Sequence, residues 1–225
     1  MKVLRVPYKM VAAPIKAEKL QANKTAIILL DFQKYTCDRY NGLASRIIEK
    51  GIQPEFDEYY SMVDAATNNC SHLLKACRKK NIEAIFCYLF DNGSHNHYSR
   101  QFEISQYPLP TGDLTKEYLA GITPESSDEI IVRDYYSPFL NTGLEKKLRS
   151  DGIDTIILAG TLFNYTVSQT AREAADRGFT VIVVWDSCAG ETLDWHMVTK
   201  TGIMGGLILS RRTYEAIEMV EGNRT

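Results

Sequence analysis

TIILAGTLFNYTVSQTAREAADRGFTVIVVW, residues 155–185, holds one complete strand–helix–strand unit. Thr155–Ala159 is a short apolar run with β-branched residues, which predicts a buried strand. Gly160 permits a tight turn. Residues 165–177 read as a helix ending near Gly178, a residue suited to a helix C-terminus. Thr180–Trp185 then predicts a second strand. Two strands joined by a helix of this length are parallel partners, and the crossover between them is right-handed.

The same alternation extends on both sides. Upstream, Thr25–Leu30 (TAIILL) predicts a buried strand closed by Asp31, and residues 57–80 a helix with Tyr60, Val63, Leu73, Leu74 and Ala76 on one side. Ile82–Leu89 predicts the second strand and Ile130–Val132 a short third one, with residues 142–151 helical up to Gly152. Downstream, residues 192–204 read as a helix, Leu207–Leu209 as the last strand and Thr213–Val220 as a closing helix. Residues 34–56 show no recognisable pattern. Residues 90–125, rich in Gly, Pro, Asn, Ser and His, read mainly as irregular loop. Strands separated by helices imply a three-layer, doubly wound α/β fold with a mainly parallel sheet. In such folds the ligand sits beyond the carboxyl ends of the strands, where strand order reverses.

Length and composition set bounds. The 225 residues suffice for one domain with a sizeable core and are short for two, so we expect a single domain over 1–225. A net charge of −2 gives no reason to expect nucleic acid or a membrane surface as partner. The basic N-terminus, MKVLRVPYKMVAAPIK, lacks the uninterrupted apolar stretch of a signal peptide, and no apolar run reaches the length of a membrane span. Five cysteines without CxxC spacing, with Cys70, Cys77 and Cys87 in apolar patterns, read as reduced, mostly buried thiols of a cytoplasmic protein.

Several polar residues lie at predicted strand ends. Asp31 follows the first strand, and a carboxylate there costs desolvation unless it has a partner. It reads as a turn or cap residue, or as a general base facing the crevice. Asn164 or Thr166 can cap the helix after Gly160, whose first N–H groups favour negative charge nearby. Arg133 follows the third strand. It reads as a surface ion pair, as a partner for Asp31, or as a fork for a substrate carboxylate. His95 and His97 stand two apart in the long loop, where exposure, substrate contact or a shared metal are all open. His196 reads as structural.

Three blocks carry a resemblance: AIILLDFQ (26–33), YYSPFLNTGLEKKLRSDGIDTIILAG (135–160) and NYTVSQTAREAADRGFTVIVVWDSCA (164–189). They resemble the signature blocks of isochorismatase-like cysteine hydrolases. The resemblance covers most of residues 24–210 and is strongest over 136–189. It implies a six-stranded, mainly parallel sheet which, with the strand–helix alternation, takes the order 3-2-1-4-5-6. It also implies an oligomer, and hydrolysis of small amides or of a vinyl ether by an Asp–Lys–Cys triad. Carried over by position, the Asp matches Asp31, the Lys position holds Arg133 and the Cys position holds Thr166. A cis peptide bond is implied at Thr161–Leu162, with the backbone N–H groups of Leu162 and Thr166 as oxyanion hole. Leu162, Phe163, Gln33 and Tyr136 are the further candidates for oxyanion and substrate contacts.

The departures alter the expected chemistry. A Thr hydroxyl does not ionise near neutral pH as a helix-N-terminal thiol does. Arg cannot release a proton in a protein, so it cannot shuttle one. Arg133 beside Asp31 should lower the carboxyl pKa and keep it ionised, which suits a base and disfavours an acid. The metal-binding nicotinamidase branch, with Asp-x-His after the second strand, is disfavoured by Leu89-Phe90-Asp91, where only His97 is in place. We therefore expect no metal and no cofactor. The readings are a hydrolase of a small, amide-like metabolite, an acidic one included, with Asp31 as base and Thr166 or water as nucleophile; a vinyl-ether or non-hydrolytic enzyme; or a small-molecule-binding pseudoenzyme.

Overall fold

The computed structural model describes residues 20–90, 112–204 and 208–223. The expectations for the N-terminal segment, for Asp91 and for His95 and His97 lie outside them. The described chain forms a single six-stranded sheet in the order β3-β2-β1-β4-β5-β6. Its strands are β1 (Thr25–Leu30), β2 (Glu83–Leu89), β3 (Glu129–Arg133), β4 (Thr155–Thr161), β5 (Thr180–Ala189) and β6 (Ile208–Arg211). Every pairing is parallel. Strand order and direction are as the sequence predicts.

Each face of the sheet has its own core, because side chains alternate along a strand. Ile27 and Leu29 of β1 face one side and Ala26, Ile28 and Leu30 the other, and all are buried. The first side is covered chiefly by the long helix Asp57–Lys79, which buries Tyr59, Tyr60, Val63, Ala66, Cys70, Leu73, Leu74 and Cys77. Spacings of three and four place these on one stripe. The helix Thr213–Glu221 joins it through Ala216, Met219 and Val220. The second side is covered by the helices Leu144–Ser150 and Ser168–Asp176, through Leu144, Leu148, Ala171 and Ala174, with Ile203 from Leu193–Met204. Emptying one such position, as in Leu29→Ala, costs about 2–5 kcal/mol.

The differences from expectation cluster at element ends. β5 runs four residues beyond Trp185, and the β4–β5 register shifts between Leu158 and Gly160. Arg133 belongs to β3 and does not follow it. Residues 34–56 contain two short helices, Lys34–Cys37 and Leu43–Glu49, whose pattern is too brief to read from periodicity. The turn after β4 is a π-helical turn, Phe163–Val167, before regular helix begins at Ser168.

Strand order reverses between β1 and β4, so the segments after Leu30 and after Thr161 open on one crevice. Gly160 makes this junction possible. A Cβ there would run into the Leu30 carbonyl oxygen, so no larger residue lets the two strand ends approach so closely.

Candidate active site

Asp31 leaves β1 in the left-handed region, at φ 57°. Asp tolerates this conformation better than most residues. The turn is pinned on several sides. The Asp31 N–H donates to the Cys87 carbonyl at 2.9 Å, and the Asp31 carbonyl accepts from the Thr161 hydroxyl at 2.8 Å. Its carboxylate is buried. Oδ1 accepts from the Leu89 N–H at 3.1 Å, and Oδ2 meets Nη2 of Arg133 at 2.5 Å. The Thr166 hydroxyl hydrogen-bonds the same carboxylate. Residues separated by more than a hundred positions thus meet at one carboxyl group.

Arg133 reaches this point from the last residue of β3, and its side chain is fully buried. Nη1 donates to the Tyr135 carbonyl at 2.9 Å, while Nε has no protein partner among the described residues. Each terminal nitrogen thus gives one of its two N–H groups to a protein oxygen, while the buried Nε–H gives none among the described residues.

The sign of the Asp31 shift corrects an expectation from sequence. Burial is the largest influence on this carboxyl and raises its pKa above the ordinary value. The charge and hydrogen bond of Arg133, with the bonds from Thr166 and Leu89, pull it down without reversing the direction. Sequence reasoning saw the neighbouring cation but not the depth of burial.

The remaining candidates divide. Gln33 is fully buried, with Nε2 donating to the Leu89 carbonyl at 3.0 Å and Oε1 accepting from the Leu89 N–H at 3.2 Å. It holds the end of β2 against Asp31. The Thr161–Leu162 bond is cis, as the resemblance implies. The Phe163 side chain is buried in the core against the His196 ring, so only its backbone lies at the turn. Tyr136 stacks on Tyr165 with centroids 5.5 Å apart and planes 12° apart. Thr166 is buried inside the π-helical turn and neither it nor Asn164 caps the helix. Instead Asn164 bonds Glu191, which sequence reasoning did not single out.

No cysteine is poised as a nucleophile. All five are buried and free. Burial raises Cys37 to about 11 and Cys77 and Cys87 to about 12, and carries Cys70 and Cys188 well above the ordinary range. Among the described residues no group of His, Cys, Asp and Glu is arranged to hold a metal, and no helix is long and apolar enough to cross a membrane.

Residues 25–209 match the isochorismatase domain as a family model. The chain belongs to the isochorismatase family. It is 32% identical over 105 residues to the uncharacterized isochorismatase family protein YwoC of Bacillus subtilis, covering 47% of this chain and 56% of that protein. It is 33% identical over 88 residues to the ureidoacrylate amidohydrolase RutB of Methylorubrum extorquens, covering 39% of this chain and 36% of that one. The chain thus spans about half the length of these relatives or less. A cysteine hydrolase from Pseudomonas syringae pv. phaseolicola has the same fold, with a TM-score of 0.79 at 23% identity, over 93% of this chain and 98% of that one. Within this isochorismatase-family fold, Asp31 follows β1 and Thr166 sits in the π-helical turn after β4, the two strands that flank the switch point.

Proposed function

We propose that this isochorismatase-family protein hydrolyses a small amide-like substrate without a cysteine nucleophile. The observation that carries the reading is the convergence of the Asp31 carboxylate, the Arg133 guanidinium and the Thr166 hydroxyl. Asp31 is the base. It takes the proton of the Thr166 hydroxyl, or of a water in its place, as that oxygen attacks the substrate carbonyl. The backbone N–H groups of Leu162 and Thr166 stabilise the resulting oxyanion. Asp31 then returns the proton to the departing nitrogen, and the C–N bond breaks. If Thr166 attacks, water cleaves the acyl ester in a second cycle. The raised pKa of Asp31 makes it a stronger base than a solvated carboxylate. Arg133 holds charge and does not exchange protons. The name of the relative RutB, an amidohydrolase, supports amide chemistry.

The same raised pKa favours one second reading, protonation of a vinyl ether by Asp31 acting as an acid. Turnover of an amide panel and of isochorismate, by wild type, Asp31→Asn and Thr166→Ala, tests both. Amide turnover that needs Asp31 supports the first reading, and loss in Thr166→Ala makes Thr166 the nucleophile. Isochorismate turnover that needs Asp31 but survives Thr166→Ala supports the second. Binding without any turnover would leave a pseudoenzyme.

A further inference from the structure

Beside the carboxyl cluster lies a second group of residues with no part in proton transfer. Tyr165 immediately precedes Thr166, and Tyr136 follows Arg133 by three residues. Their rings stack nearly parallel, and Tyr165 keeps 40% of its surface exposed. The Tyr165 hydroxyl hydrogen-bonds the Glu191 carboxylate. Glu191 is itself held in place from two directions. Its Oε2 accepts from Asn164 Nδ2 at 3.0 Å, and its N–H donates to Asn164 Oδ1 at 3.2 Å. Glu191 also bears electrostatically on Tyr136. The result is a half-open aromatic platform with a fixed carboxylate at its edge.

An aromatic face and a carboxylate discriminate in the same direction. The ring quadrupole attracts positive charge and polarised N–H groups, and the carboxylate accepts hydrogen bonds and repels anions. We infer that Tyr165, backed by Tyr136 and edged by Glu191, is the specificity subsite, taking the planar, N–H-bearing, neutral or cationic end of the substrate and rejecting a carboxylate there. The inference rests on the hydrolase reading only for placing the scissile bond at Thr166.

Three planar probes of one shape, benzamidine, benzamide and benzoate, test this by calorimetric titration of the full chain. Wild type should bind benzamidine tightest and benzoate weakest, by about threefold to fivefold for a half-exposed charge contact. Glu191→Gln should collapse that order. Asn164→Ala, which only unfastens Glu191, should narrow it. Tyr165→Ala should weaken all three, and Tyr165→Phe should keep the stacking and recover most of the affinity. Asp31→Asn should leave the order intact. The inference is overturned if benzoate binds as well as benzamidine, if no probe binds, or if the preference survives Glu191→Gln and disappears in Asp31→Asn. The charge order needs no turnover, so it separates from the hydrolase reading. An inactive protein with the expected order loses the reaction and keeps the subsite. An active, Asp31-dependent enzyme without the order keeps the reaction and loses the subsite.

Discussion

Oδ2 of Asp31 and Nη2 of Arg133 lie 2.5 Å apart with both side chains buried. Breaking a buried pair from one side strands the other charge, which costs about 3–5 kcal/mol, whereas replacing both partners by apolar groups is often neutral. Arg133→Met and Asp31→Leu should each lower stability by that amount in urea denaturation. The double variant should be more stable than either, and should be inactive. Equal loss in the single and double variants would show that the pair does not act as a unit.

The raised pKa of Asp31 makes a prediction about pH. A carboxyl whose folded value lies above its unfolded value contributes stability that is fully present below the unfolded pKa. That contribution is lost as pH rises through the folded one. Wild type should therefore show a fall in unfolding free energy over that window that is missing from Asp31→Asn. If Asp31 is the base, the acid limb of kcat/KM should also lie above the ordinary aspartate value of about 3.9. An acid limb at or below that value would mean that Arg133 outweighs burial.

Thr166→Cys should place a thiol at the start of a helix, whose N-terminus lowers a thiol pKa against the opposing effects of burial and of the Asp31 carboxylate. Iodoacetamide should modify it faster than any of the five native cysteines, whose pKa values burial raises. Mass spectrometry of the alkylated protein reads this directly. Modification no faster than at Cys70 would mean a closed site. Adding Arg133→Lys should help amide turnover more than it helps alkylation, because only Lys can pass a proton.

Gly160→Ala places a Cβ against the Leu30 carbonyl and side chain. Relief requires β1 and β4 to separate where Asp31 and the Thr161–Leu162 segment meet. The variant should lose stability by about 1–3 kcal/mol, the usual cost of overpacking, and lose activity in larger proportion than stability. A thermal melt and an activity assay on the same preparation check this. Unchanged activity would detach the site from the strand junction.

The sequence by itself determined the architecture. Strand, helix and glycine signals between Thr155 and Trp185 are local, and their repetition leaves few topologies for a chain of this length. Asp31 and Arg133 stand at strand ends, which parallel strands put on one edge of the sheet, and the grouping of both with Thr166 is what the family resemblance implied. The short helices in 34–56, the extra length of β5 and the π-helical turn at Phe163–Val167 were not legible, because they are too brief for periodicity and are held by tertiary packing. Only the tertiary structure decided how the polar groups are paired. The amide of Gln33 is committed to Leu89, Asn164 is turned to Glu191 and not to a helix end, and Glu191 arrives from beyond β5. It also decided the direction of the Asp31 pKa. A sequence shows which charges exist, but their proton affinity depends on how much water burial removes, and that is fixed only when distant segments close around the carboxyl group.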